Sequence, residues 1–363
     1  MKYSLYLFLA AGLTVLGISC QKESEQQVLN SQSASTIQFT MPSEDEPHEG
    51  TWLQWPHNNT YSNHVSRMEG TFVSMVQALH TGERVHIIVY DQGHEGHVSN
   101  LLSNAGVNMT QIDFVIHPTN DMWARDSGPI FVRDTTGNLL IEDWGFNGWG
   151  DKVEAAYDDQ VPTAAAQLAN HSVINVPMIN EGGSVEIDGH GTLMAKRSSI
   201  LNNNRNPGMT QPQAEEIFNR YLGVTNFIWM DGYPGGDITD DHIDGTARFI
   251  HNNTIVMNEQ SAMDPSEYAT ISAAKNAQGS PYTIVEIPLS QNNLPGTNYP
   301  GIYVNFYVGN TVVLVPNFND PNDQVVNGII QNLYPNKTVV GIEAIELGID
   351  GGGIHCVTQQ QPL

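Results

Sequence analysis

Four stretches of this 363-residue chain share one plan, and that repetition limits its possible folds more than any other feature. They are "RDSGPIFVRDTTGNLLIEDW", "EGGSVEIDGHGTLMAKRS", "HIDGTARFIHNNTIVMNE" and "VNFYVGNTVVLVPN". Each passes from a polar or glycine opening into a strand-like run, an Asn/Gly/Asp turn and a second strand-like run. Turns of that composition close β-hairpins. The markers Asp126, Gly182, Asp244, Asn305 and Cys356 are separated by 56, 62, 61 and 51 residues. Regular spacing of such units suggests a radial array whose hairpin openings converge on one centre. A fifth unit opens at "GGGIHC" and is cut short by the chain end. Coincidence among common hairpins is the competing reading, because the units agree in plan more than in sequence.

Between the hairpins lie helix-like stretches at Ser66–Thr81, Ala214–Leu222, Pro265–Ala277 and Asp323–Leu333. The β-branched runs "RVHIIVY", "DFVIHP", "SVINVP", "NFIWM", "YTIVEIPL" and "VVGIEAIEL" read as further strands. Strands alternating with helices place the chain in the α/β class. "HEGH" at His94–His97 is one residue short of the helical zinc-binding spacing and reads as a loop.

The first twenty residues, "MKYSLYLFLAAGLTVLGISC", have the basic start, short apolar run and small-residue end of an export signal. Cys20 after a small residue resembles a lipoprotein cleavage box, and an ordinary signal peptide cut nearby is the alternative. Residues 1–19 are therefore assigned to a signal peptide and 20–37 to a lipidated cysteine with a flexible tether. Residues 38–363 form one domain, long enough to bury a real core. The protein is expected in the cell envelope, with its lipid as the only membrane contact. With 14 basic and 39 acidic residues, the net charge of −25 argues against nucleic acid; such a field would draw small cationic ligands, though by itself it reads first as a device for solubility.

The hairpin openings collect Asp126, Glu181, His242, Asp244, Asn305 and Cys356. A thiolate attacks an electrophilic carbon, and a histidine protonates the leaving group and then activates water. Two carboxylates at fixed positions suit a planar guanidinium. Together they describe substitution at an amidine or guanidine carbon. Each part alone is weaker. Arg125 and Asp126 also read as a structural pair, and "EGGS" as a tight turn. "TDDHID" also reads as a solvated acidic turn, or as a metal site of Asp240, His242 and Asp244. His355 adjoins Cys356, and on a strand it would face the other way, which favours His242 as the cysteine's partner.

"MWARDSGPIFV", "EGGSVEIDGHGTLMAKRSSILNNNRNP", "DDHIDGTARFI", "YVNFYVGNTVVLVPNF" and "GGGIHCVTQQQP" resemble, in order, the signatures of agmatine deiminases and related bacterial-type peptidyl-arginine deiminases. The resemblance implies a pseudo-fivefold α/β propeller with the site on its axis. It implies Cys356 as nucleophile, His242 as general acid/base, Asp126 and Asp244 as the guanidinium carboxylates, and Asn305 as a helper beside the nucleophile. Trp123, Glu181 and Gly353 join them as substrate-binding candidates. The implied reaction turns a guanidine and water into a ureido product and ammonia through a thiouronium, with no metal or organic cofactor. Agmatine is the first-choice substrate and peptidyl-arginine the second. A surface lipoprotein that binds guanidines or amines without turnover is the reading from another class.

The chain departs from the agmatine pattern in two places. "RSSILNNNRNP" stands where a pair of glutamates is expected, and Glu186 where a histidine is expected. Either change bears on recognition of the substrate's far end. Lys196 and Arg197, in the same neighbourhood, are expected to point to solvent, the usual fate of such pairs.

Overall fold

The computed structural model describes residues 38–363. The export signal and Cys20 lie outside the described residues. Residues 38–363 form a mixed α/β fold, with five small sheets among the described residues. The predicted hairpins supply antiparallel strand pairs to four of them: Ile130–Asp134 with Leu139–Asp143, Val185–Ile187 with Thr192–Lys196, Ala247–Ile250 with Thr254–Asn258, and Tyr307–Val308 with Val312–Asn317. The third turn needs left-handed backbone at both central residues, and Asn252 and Asn253 take it, with φ of 59° and 55°.

The β-branched runs have a different job. Val173–Asn175, Asn226–Met230, Thr283–Ile287 and Thr338–Glu343 each pair in parallel with the second strand of the preceding hairpin. A parallel return needs a crossover, and a helix provides it each time: Val161–Ala169, Gln211–Leu222, Pro265–Ser272 and Asn322–Leu333. Each unit is thus strand, strand, helix, strand. The Gln211–Leu222 helix shows why the boundaries fall where they do. Thr210 and Gln213 form a reciprocal capping box, Pro212 occupies the first turn, and Gly223 ends the helix at φ 73°.

The fifth unit is not cut short. Gln359–Pro362 pairs antiparallel with His48–Gln54 from the other end of the chain, which pairs in parallel with Arg84–Val89 across the helix His64–Leu79. Ile112–Ile116 extends this sheet. Hydrogen bonding between distant segments completes the unit, and no local pattern announces it. "HEGH" is not a loop either. It lies in the helix Gln92–Asn104, whose first turn is capped by Asp91 accepting from the His94 amide. Its apolar face is short, with Val98 and Leu102 buried, and two glycines hid it.

The apolar clusters bridge neighbouring sheets. One joins Ile130, Val132 and Trp144 to Val185, Leu193 and Phe218, and another joins Met194 and Ile228 to Ala247, Ile255 and Met257. The largest gathers Trp55, Phe72 and Ile87 with Tyr307, Leu314 and Val256. The smallest links Trp52 and Ile88 to Phe131 and Ile141. Trp52 is fully buried, and its indole N–H donates to Gln361 Oε1 at 2.9 Å across the junction of the two chain ends. Trp52→Ala is therefore expected to cost about 3–5 kcal/mol through cavity formation. Trp52→Phe should cost less, because it keeps most of the packing. Denaturant unfolding of both variants checks this, and equal losses would mean that the hydrogen bond, not the packing, holds the junction.

Candidate active site

Cys356 sits in a single helical turn, His355–Val357, which Ile354 separates from three glycines. Each glycine has a reason. Gly351 turns the chain at φ 94°. A Cβ on Gly352 would lie 2.2 Å from the Trp123 ring, and one on Gly353 would lie 2.5 Å from Asn305 Oδ1. Asn305 locks the turn: its Oδ1 accepts from the Cys356 amide at 3.2 Å, its carbonyl accepts from the His355 amide at 3.1 Å, and its Nδ2 donates to the Asp244 carbonyl at 3.3 Å.

Asp244 Oδ2 lies 3.6 Å from Cys356 Sγ and 2.7 Å from His355 Nδ1. The turn, unlike a strand, lets both neighbours reach one carboxylate, so the strand premise for excluding His355 does not hold. His355 instead backs Asp244, and its Nε2 meets Glu44 at 3.0 Å. Glu44 also pairs with Arg248 at 2.9 Å and Arg125 at 3.2 Å.

His242 faces Asp126 and Glu181. Its Nε2 is 3.1 Å from Glu181 Oε2, and its Nδ1 is 3.6 Å from Asp126 Oδ1. Asp126 accepts from the Trp149 indole at 2.8 Å and from the Gly183 amide at 3.0 Å. Gly183 has no room for a side chain: a Cβ would lie 2.8 Å from both Asp126 Oδ1 and His242 Nδ1. Glu181 is fully buried and is held by Arg205 Nε at 2.8 Å. It contacts the His242 ring and lines neither of the two cavities that reach the thiol. Trp149 and Arg205 carry no sequence signal that sets them apart.

Asp240 points away from a metal geometry. It is engaged by Arg205, by Lys152 at 2.7 Å and by Asn204 at 3.2 Å. The "LNNNRNP" segment thus braces Glu181 and Asp240. Glu186 belongs behind the site as well: it pairs with Arg248 at 2.6 Å and accepts from the Phe249 amide at 3.0 Å. Lys196 contradicts the solvent expectation. It is 2% exposed, with Nζ 2.6 Å from Asp241, 2.7 Å from Thr246 Oγ1 and 3.2 Å from Glu267. It ends its strand beneath a helix and an acidic loop, whose carboxylates make burial of the ammonium tolerable. Arg197 does lie at the surface, paired with Asp231 at 2.9 Å.

The charges tune one another. Burial pushes the Cys356 thiol well above its usual range, and Asp244 and Asp126 push it further, while the Gly353 amide and Asn305 work the other way. Burial also raises Asp126, against the pull of His242. Burial disfavours charge on His242, but Asp126 and Glu181 prevail and lift it to about 9. Burial likewise opposes ionisation of Asp244, yet His355 holds it down at about 2. At neutral pH the site therefore holds an imidazolium, a thiol and a firmly ionised Asp244.

Two cavities reach the thiol. One, of about 260 Å³, is lined by Trp123, Trp149, Ile238 and Asp126, and also by His64, Arg67, Asp121 and Asp350. The other, of about 470 Å³, is lined by His242, Asp244 and Asn305 on the site side. A thiol, an imidazolium and two carboxylates, carried on separate segments around the end of a cavity, equip a cysteine-dependent hydrolase for a planar cation. A family model described as Porphyromonas-type peptidyl-arginine deiminase matches residues 40–362, and the chain belongs to that family. It is a hydrolytic deiminase acting on a guanidino group. The agmatine deiminase of Pseudomonas aeruginosa strain LESB58 is 30% identical, across 89% of this chain and 95% of the relative. The solved agmatine deiminase of Enterococcus faecalis superposes with a TM-score of 0.81 at 25% identity, covering 89% of this chain and 96% of that one.

His242 should titrate with a midpoint near 9. Because that lies above the ordinary histidine value of about 6.5, its charged contacts stabilise the fold fully below about 6.5 and are lost as pH rises through 9. Imidazole NMR on the intact protein checks the midpoint. Glu181→Gln should move it down by removing a carboxylate, and a wild-type midpoint at or below 6.5 would show that burial outweighs the carboxylates.

Proposed function

We propose that the protein hydrolyses agmatine to N-carbamoylputrescine and ammonia, with Cys356 as nucleophile and His242 as general acid and base. The observation that carries this reading is Asp126. It is a buried carboxylate supported by neutral donors and by His242 at 3.6 Å, facing Asp244 across the thiol's surroundings. A guanidinium laid between Asp126 and Asp244 would neutralise the two carboxylates that hold the thiol protonated. Substrate binding would then lower the thiol's pKa and present the carbon to the forming thiolate. The imidazolium gives its proton to the departing nitrogen, and the neutral ring takes one from the water that opens the thiouronium. Asn305 and Gly353 hold the nucleophile's turn, and Trp123 and Trp149 flank the guanidinium.

The choice of agmatine over an arginine peptide rests on the far end of the smaller cavity. Arg67, the cation there, is already engaged by Glu346 at 2.6 Å and Asp350 at 2.7 Å. Asp121 and Asp350 lie 3.8 and 3.6 Å from His64. Burial raises Asp121 to about 7, which a second cation would reverse. Such an end welcomes an ammonium and repels a carboxylate. The five sheets are read as the blades of a pseudo-fivefold propeller with the site on its axis. Two features support this: apolar clusters bridging successive sheets, and site residues drawn from the opening of each unit.

Cys356→Ser should lower turnover by several orders of magnitude with the fold intact, and a haloacetamidine should label Cys356 unless substrate is present. Wild-type kcat/KM should favour agmatine over a carboxy-terminal arginine peptide by at least about tenfold, close to 1.4 kcal/mol of transition-state discrimination. Asp121→Asn should erode that preference. A preference for the peptide would overturn the substrate choice, and full activity in the serine variant the covalent route.

We further propose that residues 1–19 are removed on export and that Cys20 is lipidated, which tethers the 38–363 catalytic domain to the cell envelope. The support is the sequence pattern at the apolar run's end. Palmitate incorporation in cells should be lost in Cys20→Ala, and labelling that persists would refute the anchor.

A further inference from the structure

Cys356 stands where the two cavities meet, and what each side offers differs. Thr239, Gly351, Gly352 and Cys356 line both. Asp126, Trp123 and Trp149 line only the smaller one, to which the substrate's tail is assigned above. His242, Asp244 and Asn305 line only the larger one. The group that protonates the departing nitrogen is His242, so that nitrogen must point into the larger cavity. Ammonia occupies about the volume of a water molecule, near 30 Å³. The larger cavity has about 470 Å³. Besides the site residues and the carboxylates Asp237 and Asp241, its lining includes a hydrocarbon wall from Leu289, Leu294, Pro300 and Ile302, with Tyr299. Ile302 and Tyr299 stand 39% and 41% exposed. A small polar leaving group does not call for such a wall, whereas an alkyl group on the departing nitrogen would be buried by it.

We propose that this second cavity is a leaving-group subsite, and that the protein also hydrolyses guanidines alkylated on the terminal nitrogen, releasing a primary alkylamine in place of ammonia. The proposal rests on the deiminase reading above. As the guanidinium binds, the Cys356 thiol loses its proton to solvent; the Sγ–carbon bond then forms, and the bond from that carbon to the alkylated nitrogen breaks. The bonding pair stays on the nitrogen, which takes a proton from His242 and leaves as the amine. Water then adds to the thiouronium carbon. One of its protons returns to His242, the other is released to solvent, where the freed amine takes it up as alkylammonium, and the carbon–sulfur bond breaks to restore the thiolate. The ureido product is the same as from the unsubstituted guanidine, and no oxidant or reductant is needed. Burial of each added methylene favours the substrate by about fourfold, until the wall is filled.

The test uses the full chain and three guanidines that share one aminobutyl tail and carry hydrogen, methyl or n-propyl on the terminal nitrogen. The common ureido product, ammonia and alkylamine are quantified together. The expected result is methylamine and propylamine as the amine products, with kcat/KM for the propyl compound within about tenfold of the parent. Ile302→Trp, which intrudes on the hydrocarbon wall, should lower the propyl-to-parent ratio of kcat/KM by at least about tenfold, and Leu289→Phe serves if that variant fails to fold. Three results would overturn the proposal: turnover of the parent alone, ammonia alone from the alkylated compounds, or an unchanged ratio in the wall variants. No turnover of the parent would instead refute the agmatine reading itself, and this proposal with it.

Discussion

One carboxylate oxygen, Asp244 Oδ2, is shared between the Cys356 thiol and the His355 ring, and the rest of the site is arranged around keeping it charged and in place. A buried carboxylate reverts to its neutral form unless something opposes desolvation. Here the opposition is layered. His355 contacts Asp244 directly, Glu44 contacts His355, and Arg248 and Arg125 contact Glu44. Glu186 completes the layer by pairing with Arg248. Networks of this kind contribute little net stability. Removing one member is costly, because each remaining charge is left buried without its partner. The network therefore fixes geometry more than it stabilises the fold.

Asp126 is backed differently, by two neutral donors and the His242 ring, and the asymmetry has chemical content. One carboxylate is held ionised by the protein, while the other, pushed up by burial, is stabilised by whatever cation arrives. Both raise the thiol until that happens. The site so described keeps its cysteine protonated when empty, which suits a chain carrying a single described free thiol.

The loops that bring these groups together carry backbone strain. Trp149, which donates to Asp126, sits at φ 56°, and Asp240 and Asp241, just before His242, at φ 63° and 76°. Non-glycine residues rarely hold such values, and the cost is commonly met at functional sites by surrounding contacts. Those contacts are visible. Asp240 is tied to Arg205 and Lys152, and Asp241 to Lys196. Arg205 in turn holds Glu181, which orients His242. A second ionic chain thus runs from the strained loop to the imidazole, independent of the one behind Asp244.

The hairpins, the further β-branched strands and the convergent residues Asp126, His242, Asp244, Asn305 and Cys356 were legible in the sequence, because turn chemistry, β-branched runs and recurrence at near-constant spacing are local signals. The same locality hid the helix at Gln92–Asn104, where two glycines outweighed a short apolar face. It also hid the completion of the fifth unit, since pairing Gln359–Pro362 with His48–Gln54 depends on segments at opposite ends of the chain. Charge partners were beyond reach for a related reason. Whether Lys196 points to solvent or into the protein depends on where Asp241 and Glu267 lie, and whether Glu186 meets substrate or Arg248 depends on which sheet stands behind it. By itself the sequence determined the repeating plan and the chemical types gathered at its openings. Only the tertiary structure decided which carboxylate faces the thiol, which is spent on an arginine, and that two cavities meet at Cys356, because those outcomes depend on distances between segments that no spacing along the chain records.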